Sequence, residues 1–155
     1  MVVQHLQDEE ERTINLRRWA MSRVYEDGFQ FQKHCLGPKP GELTEKTAEG
    51  RITEEFQCAQ FLDGLAQVRF WVRNLVRKPT SFRLQTSKDW FYPDFLCQLT
   101  DGHTLAVEYK GKHLFDGVDA EDKRAVGEVW ASRSGGGCLF VMPTDGDFSG
   151  IMKVI

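Results

Sequence analysis

Two acids and a lysine in the middle of the chain have the side-chain types that hydrolysis of a phosphodiester requires. Asp94 follows a proline, and Glu108 and Lys110 end an apolar segment further along the chain. Two carboxylates on one side of a sheet repel each other unless a cation lies between them, and oxygen ligands suit Mg²⁺ or Mn²⁺. Such an ion polarises a phosphate oxygen and activates a bound water, while a neighbouring lysine orients that water. The residue types therefore indicate metal-dependent hydrolysis.

The turn between the two segments decides whether these side chains meet. In an extended chain neighbouring residues point to opposite faces, so Glu108 and Lys110 share one face of their strand. A turn of two residues would place Asp94 opposite Tyr109, on the wrong face. A loop of three residues, with Gly102 in the left-handed position at its end, places Asp94 directly opposite Glu108.

Elements of an α/β fold are expected around these residues. Thr53 can cap a helix that carries the inward stripe Phe56, Ala59 and Leu62 and ends at Asp63 and Gly64. The segment 68–75 remains open between a short helix and a strand. Three strands are predicted after Pro79, over Ser81–Gln85, Trp90–Leu99 and Thr104–Lys110.

A second helix and a last strand complete the expected order. Asp119 as the cap, with Asp122 in the manner of a capping box, predicts a helix. Its expected stripe is Val126, Val129 and Trp130. The apolar run Cys138–Met142 predicts a strand buried on both faces, parallel to Thr104–Lys110. The order is thus α-β-β-β-α-β.

The chain divides into an arm and a domain. A helix is predicted from about Asp8 to Glu26, and the stretch Gly37–Gly50, which is rich in proline, glycine and charge, predicts a loop. Residues 1–50 are therefore expected to form an N-terminal helix and connecting arm, and residues 51–155 the main domain.

At this point the residues resemble a known family. Tyr92-Pro93-Asp94-Phe95 followed by Val107-Glu108-Tyr109-Lys110-Gly111 is similar to the signature of the PD-(D/E)XK nucleases. The stretch from about residue 54 to 144 resembles the C-terminal nuclease domain of type III restriction enzyme Res subunits and related helicase-nucleases. Glu55 with Ala59, Leu62 and Asp63 is similar to the first helix of that family. Trp71 with Arg73 and Asn74 is similar to the segment that follows this helix. The resemblance implies a restriction-endonuclease-like fold, with a mixed central sheet flanked by helices.

The resemblance also implies roles for single residues in an Mg²⁺-dependent endodeoxyribonuclease. Asp94 and Glu108 would bind Mg²⁺ or Mn²⁺, joined by the main-chain carbonyl of Tyr109, and Lys110 would position the nucleophile. Glu55 would be the supporting acid on the first helix. Its rival is Glu54, because one sequence does not fix the phase of that helix.

DNA is the expected partner, although the net charge of −3 argues against a wholly basic surface. Between residues 64 and 88 every charged side chain is positive, which indicates a local phosphate-facing surface as strongly as it indicates a merely solvated face. The candidate contacts to the DNA backbone are Arg69 and Arg73 from this stretch and, by the family likeness, Lys112, Lys123 and Arg124.

The surroundings of such a domain can also be inferred. The sequence has no apolar run of bilayer length and no secretory signal, so a cytoplasmic protein without a membrane partner is expected. The four widely spaced cysteines are expected to be free thiols, most of them buried. No phosphate loop occurs, so the motor of a helicase-nuclease would lie elsewhere in a longer chain or complex. Both an excised piece and a free-standing nuclease remain open, as does the oligomeric state.

Blander interpretations stand beside the nuclease hypothesis. Glu108 and Lys110 can form a structural ion pair, and the domain can bind nucleic acid or assemble subunits without significant cleavage. A purely structural interaction module leaves the meeting of three residues unexplained. Trp71, Trp90 and Trp130 can stack on bases, but core positions are expected for them. His103 and His113 are discounted as ligands.

Overall fold

The computed structural model describes residues 28–111 and 117–155. The helix predicted over Asp8–Glu26, the candidate contact Lys112 and His113 lie outside these residues. The described residues form a series of short helices and strands. In chain order these are α1 (Glu54–Gly64), β1 (Val68–Arg73), β2 (Leu84–Gln85), β3 (Trp90–Phe91), β4 (Phe95–Leu99), β5 (Thr104–Val107), α2 (Val118–Arg133), β6 (Cys138–Val141) and α3 (Ser149–Val154).

The central sheet is mixed. Its order is β1-β4-β5-β6, in which β4 pairs antiparallel with both β1 and β5, while β5 and β6 are parallel. β2 and β3 form a separate two-stranded antiparallel ribbon. The prediction of an α/β fold with a mixed sheet is therefore confirmed, as is the parallel β5-α2-β6 unit.

Helices flank this sheet on both faces. Val107 of β5 belongs to one core cluster with Leu62 of α1 and Ile151 of α3, so these helices cover the same face. Neighbouring residues of a strand point to opposite faces. Phe140 therefore points away from this cluster, where its ring lies against Gly127 of α2.

The first strand of the sheet comes from the segment that the sequence left open. Residues 68–73 form β1, and an irregularity between Val68 and Phe70 lets Val68 and Trp71, both buried, share its inward face. The predicted strand Ser81–Gln85 is wrong as a core strand, because only Leu84–Gln85 is extended and it pairs outside the central sheet.

The predicted strand Trp90–Leu99 is interrupted at Pro93. Proline has no N–H to donate to a strand ladder, and β3 ends before it while β4 begins after Asp94. The Asn74 side-chain amide stabilises this break by donating to the carbonyl oxygens of Phe82 and Pro93, at 2.8 Å each. The main chain at Asp94 is thereby fixed from a neighbouring loop.

The sequence signals of α1 are confirmed. The Thr53 hydroxyl accepts a hydrogen bond from the Phe56 amide at 3.2 Å, which caps the helix. Phe56, Ala59 and Leu62 are all buried, and the helix ends at Gly64.

The predicted cap of α2 is wrong, and its predicted stripe is confirmed only in part, because Val126 and Trp130 are half-buried while Val129 is exposed. The helix begins at Val118 with Gly117 at the cap position, and the Asp119 carboxylate lies within the helix, where it pairs with Lys123. Its buried residues are Ala120 and Gly127, whereas Val129 of the predicted stripe is 50% exposed. The physical reason is the close approach of α2 to β6, which leaves space only for small side chains.

Gly127 gives a test of this close approach. A Cβ atom at this position would lie 2.5 Å from three atoms of the Phe140 ring. Gly127→Ala is therefore expected to lower the free energy of unfolding by about 1–3 kcal/mol, although alanine favours helix. Urea denaturation would measure the change. Gly64→Ala is the matched control because nothing lies within 4 Å of its Cβ position, and equal stability of both variants would contradict the packing argument.

β6 is only half-buried, contrary to the prediction of burial on both faces. It lies at one edge of the central sheet, so only one of its sides is covered by a neighbouring strand. A uniformly apolar run such as Cys138–Met142 fits an edge strand beneath a helix as well as a central strand, so the sequence did not distinguish the two positions.

Residues ahead of α1 also contribute to the core. Phe31 and His34 are buried, and the amide of Trp71 in β1 donates to the carbonyl of Lys33 at 3.0 Å. The carboxylate of Asp63 accepts from the Lys33 amide and from the Trp71 indole. The predicted connecting arm therefore takes part in the domain core from about residue 31.

The tryptophans and cysteines divide between core and surface. Trp71 is buried as expected and Trp130 packs on Phe82, but Trp90 is 44% exposed, so a core position is wrong for it. All four cysteines are free: Cys58 and Cys97 are buried, Cys138 is half-buried and Cys35 is exposed. Within the described part of the chain, no helix has the length and apolarity to cross a bilayer.

Candidate functional site

The β4–β5 hairpin has the three-residue loop that puts the two acids at opposite positions of the strand pair. The amide of Leu99 donates to the carbonyl of His103 at 2.8 Å, and Gly102 has a φ of 95°. Phe95 pairs with Val107, so the next residues outward, Asp94 and Glu108, lie opposite each other. The register predicted from the turn is confirmed.

Glu108 and Lys110 form a buried ion pair at the end of β5. Lys110 Nζ lies 2.7 Å from Glu108 Oε1, and the two side chains are 12% and 6% exposed. Their backbone amides donate to the carbonyls of Val141 and Pro143, which fixes the segment against the chain that follows β6. The pair is therefore held on rigid elements.

The environment of Glu108 disfavours its charged form. Burial, followed by the negative charge of Asp94, raises the pKa of Glu108 to about 8, while the charges of Lys110 and Lys123 oppose the shift. Oε2 of Glu108 is buried and has no hydrogen-bond partner. When Glu108 is charged, one of its two buried oxygens therefore has neither a hydrogen bond nor an ion pair.

Asp94 is held by partners on both of its oxygens. Oδ2 accepts a hydrogen bond from the Tyr109 amide at 2.8 Å, and Oδ1 accepts one from Arg73 Nη1 at 3.0 Å. The same Nη1 also donates to the main-chain oxygen of Asp94 at 3.1 Å. Asp94 thus contacts Arg73 of β1, and it lies near enough to Glu108 for its charge to raise the pKa of that acid.

Arg73 connects Asp94 to the first helix. Its Nη2 lies 2.7 Å from Glu55 Oε1. Burial raises the pKa of Glu55 to about 7, the charge of Asp94 adds to the shift, and Arg73 opposes it. Of Glu54 and Glu55, the two acids between which the sequence could not decide, Glu55 is the one that contacts the Arg73–Asp94 pair.

The other acid of the first helix, Glu54, has a different partner. Its Oε2 accepts the Tyr109 hydroxyl at 2.6 Å. That hydroxyl in turn accepts the Gly146 amide at 3.0 Å. Glu54 therefore ties Tyr109 to α1, while the Tyr109 hydroxyl also contacts the loop after β6.

The candidate DNA contacts have different environments. Arg73 lies inside the site with a side chain only 12% exposed, where it pairs with the acids Glu55 and Asp94, and its contact with the DNA backbone stays a prediction. Arg69 is exposed on β1, and Arg124 is half-buried on α2. Lys123 pairs with Asp119 at 2.9 Å, on the side of the sheet that carries Glu108.

Two carboxylates, rather than a larger cluster, are available to a metal ion. In residues 28–111 and 117–155 no group of three or more His, Cys, Asp or Glu side chains is arranged to hold one. The unpartnered Oε2 of Glu108 nevertheless fits a hard cation, which would compensate the buried charge, whereas each oxygen of Asp94 already accepts a hydrogen bond and would share it with the ion. The sequence resemblance implies that the Tyr109 carbonyl joins the metal ligands, whereas the contact between Tyr109 and the site is the hydrogen bond from its amide to Asp94.

The part played by Arg73 was missed from the sequence. A strand over 68–73 places Trp71 and Arg73 on the same face, directed at α1. That signal was present in the sequence, but it is informative only once the segment is known to be extended. The pairing of the guanidinium with two acids follows from the β1–β4 register, in which Arg73 is opposite Phe95.

Comparison with known proteins identifies no relative of the chain. The chain matches no protein-family model, no curated protein and no solved structure. The case for a function therefore depends on the residues and their geometry.

Proposed function

We propose that the chain is a metal-dependent nuclease domain of the PD-(D/E)XK kind, which hydrolyses DNA phosphodiester bonds with Mg²⁺ or Mn²⁺. The observation that supports the proposal is the hairpin register, which puts Asp94 opposite Glu108, together with the buried Glu108–Lys110 pair. The mixed sheet with helices on both faces agrees with the restriction-endonuclease-like fold that the sequence resemblance implies.

In this proposal the residues divide the work of hydrolysis. Asp94 and Glu108 would hold the ion, which supplies a polarised phosphate oxygen and a more acidic water. Lys110, whose Nζ lies beside Glu108 Oε1, would donate a hydrogen bond to the attacking water or to the phosphate oxygen that gains charge. Glu55 acts through Arg73, which orients the Asp94 carboxylate.

The proposed setting is the C-terminal part of a type III restriction enzyme Res subunit or a related helicase-nuclease. Its support is the sequence resemblance over about residues 54–144. An ATP-driven motor would then deliver the DNA, from another segment of a longer chain or from a partner subunit.

Arg73 favours a second candidate function, which is nucleic-acid binding or subunit assembly without significant cleavage. The guanidinium already pairs with Asp94 and Glu55, so the protein itself neutralises part of the charge that would attract a metal. This candidate predicts salt-sensitive DNA binding that does not require a divalent ion.

Binding of Mn²⁺ separates the two candidates. Wild-type protein is expected to bind one Mn²⁺ in a calorimetric titration, and crystals soaked in Mn²⁺ should show an anomalous peak between Asp94 and Glu108. Glu108→Gln and Asp94→Asn are each expected to weaken the affinity at least about tenfold, since each removes a charged oxygen ligand.

The control variant is Glu128→Gln, which removes an exposed acid from α2. Its Mn²⁺ affinity should equal that of the wild type. Equal affinities for all four proteins, or a peak located away from both acids, would refute the metal site and leave the second candidate.

A further inference from the structure

The β2–β3 ribbon carries an exposed aromatic ring with a cation stacked on it. The guanidinium carbon of Arg83 lies 4.2 Å from the centre of the Trp90 ring system. Trp90 is 44% exposed, and Arg83 is exposed as well. A large apolar ring in contact with water is costly unless a partner covers it.

The exposure of Trp90 does not come from a loosely attached ribbon. Its neighbour Phe91 is buried and packs edge-to-face on Phe140, with ring centres 6.1 Å apart. Since neighbouring residues of a strand point to opposite sides, an inward Phe91 requires an outward Trp90.

The turn of the ribbon is also anchored. The backbone amide and the hydroxyl of Ser87 both donate to the Asp122 carboxylate of α2, at 3.2 and 2.8 Å. Within the turn, the Thr86 amide donates to the Asp89 carbonyl at 2.9 Å. The Trp90 ring is therefore presented from a fixed platform.

The charge around this ring suits an anionic partner. Every charged side chain from residue 64 to 88 is positive, and on the ribbon Arg83 and Lys88 are both exposed. The neighbouring acid Asp89 is engaged locally, because its Oδ1 accepts the Trp90 amide at 2.7 Å. An aromatic face beside arginine and lysine is the combination that stacks bases and neutralises phosphates of a single strand.

The ribbon also leads directly into the candidate active site. Trp90 precedes Asp94 by four residues, so their Cα atoms are at most about 14 Å apart. One nucleic-acid strand that reaches Asp94 can therefore pass over the ribbon.

We propose that Trp90 and Arg83 form a stacking site for an unpaired base of single-stranded DNA, with Arg83 and Lys88 neutralising the adjacent phosphates. The inference rests on the proposed function in taking DNA as the ligand, but it requires no cleavage. Protein partners also use exposed Trp and Arg side chains, and the two cations beside the ring, Arg83 and Lys88, favour DNA over them.

Binding of a labelled single-stranded oligonucleotide in EDTA tests the site without interference from cleavage. Trp90→Ala is expected to raise the dissociation constant by about 5- to 150-fold, as expected for loss of one stacked base. Trp90→Phe, which keeps a flat ring, should retain most of the affinity. Duplex DNA of the same sequence should respond far less to Trp90→Ala, because its bases are already stacked.

The salt dependence of binding distinguishes stacking from a general loss of charge. Trp90→Ala should leave the slope of log affinity against log salt unchanged, whereas Arg83→Ala should reduce it by about 0.7. Phe70→Ala is the matched control, since this ring is 42% exposed within the same positive stretch but lies on β1.

Three results would overturn the stacking site. These are no binding of single strands by the wild type, wild-type affinity in Trp90→Ala, and equal weakening by Phe70→Ala. Loss of single-strand affinity in the Trp90 and Arg83 variants alone supports the stacking site whether or not the protein cuts DNA. Failure of the stacking site can therefore be told apart from failure of the nuclease proposal. Thermal melting of each variant verifies that the fold is retained.

Discussion

Replacement of Lys110 by methionine is expected to reduce Mg²⁺-dependent cleavage of plasmid DNA by roughly a hundred- to a thousandfold. The lysine is the cation next to Glu108, and methionine keeps an unbranched side chain one atom shorter while removing the charge and the donors. An amine that donates to the attacking water or to the phosphate acts most strongly in the transition state, so the loss appears in the cleavage rate. Linearisation of supercoiled plasmid, with and without EDTA, measures it.

The control for this experiment is Lys153→Met on α3, an exposed lysine that should leave cleavage unchanged. Asp94→Ala should reduce cleavage at least as strongly as Lys110→Met does, because it removes the acid opposite Glu108. Cleavage at the wild-type rate by both site variants would contradict the nuclease proposal. Identical purification of all four proteins excludes a contaminating nuclease as the source of activity.

The part of the site that could be predicted from sequence is the part determined by local geometry. The loop ending at Gly102 fixes the register of a hairpin, and the alternation of side chains then places Asp94 opposite Glu108 without further information. The Thr53 cap and the buried face of α1 follow from equally local rules.

The parts that could not be predicted depend on how elements meet. The segment that became β1 has no clear period, and only its pairing with β4 makes it a strand and directs Arg73 to Asp94. The buried face of α2 at Gly127 is set by the Phe140 ring of another element, which outweighs the apolar spacing of the helix itself. Long-range packing of this kind leaves little trace in a single sequence.

Replacing Glu108 with glutamine is expected to stabilise the metal-free protein as pH rises. Burial, and after it the charge of Asp94, raises the pKa of Glu108 from 4.5 to about 8. The folded state therefore binds more protons than the unfolded state, so wild-type stability falls as pH rises from about 4.5 to about 8. Glutamine has no such titration, and the variant should gain on the order of a few kcal/mol relative to wild type by the upper end of this window.

Urea denaturation in EDTA between pH 5 and 9 measures this difference, and Glu128→Gln is the control for an exposed acid on α2. Glu55, whose pKa of about 7 gives a slope of the same sign, is present in all three proteins and largely cancels. Addition of Mg²⁺ should then stabilise the wild type and Glu128→Gln but not Glu108→Gln. The same carboxylate lowers the stability of the metal-free fold and is proposed to hold the ion, so both effects must disappear together. Parallel pH curves, or stabilisation of all three proteins by Mg²⁺, would separate Glu108 from the metal.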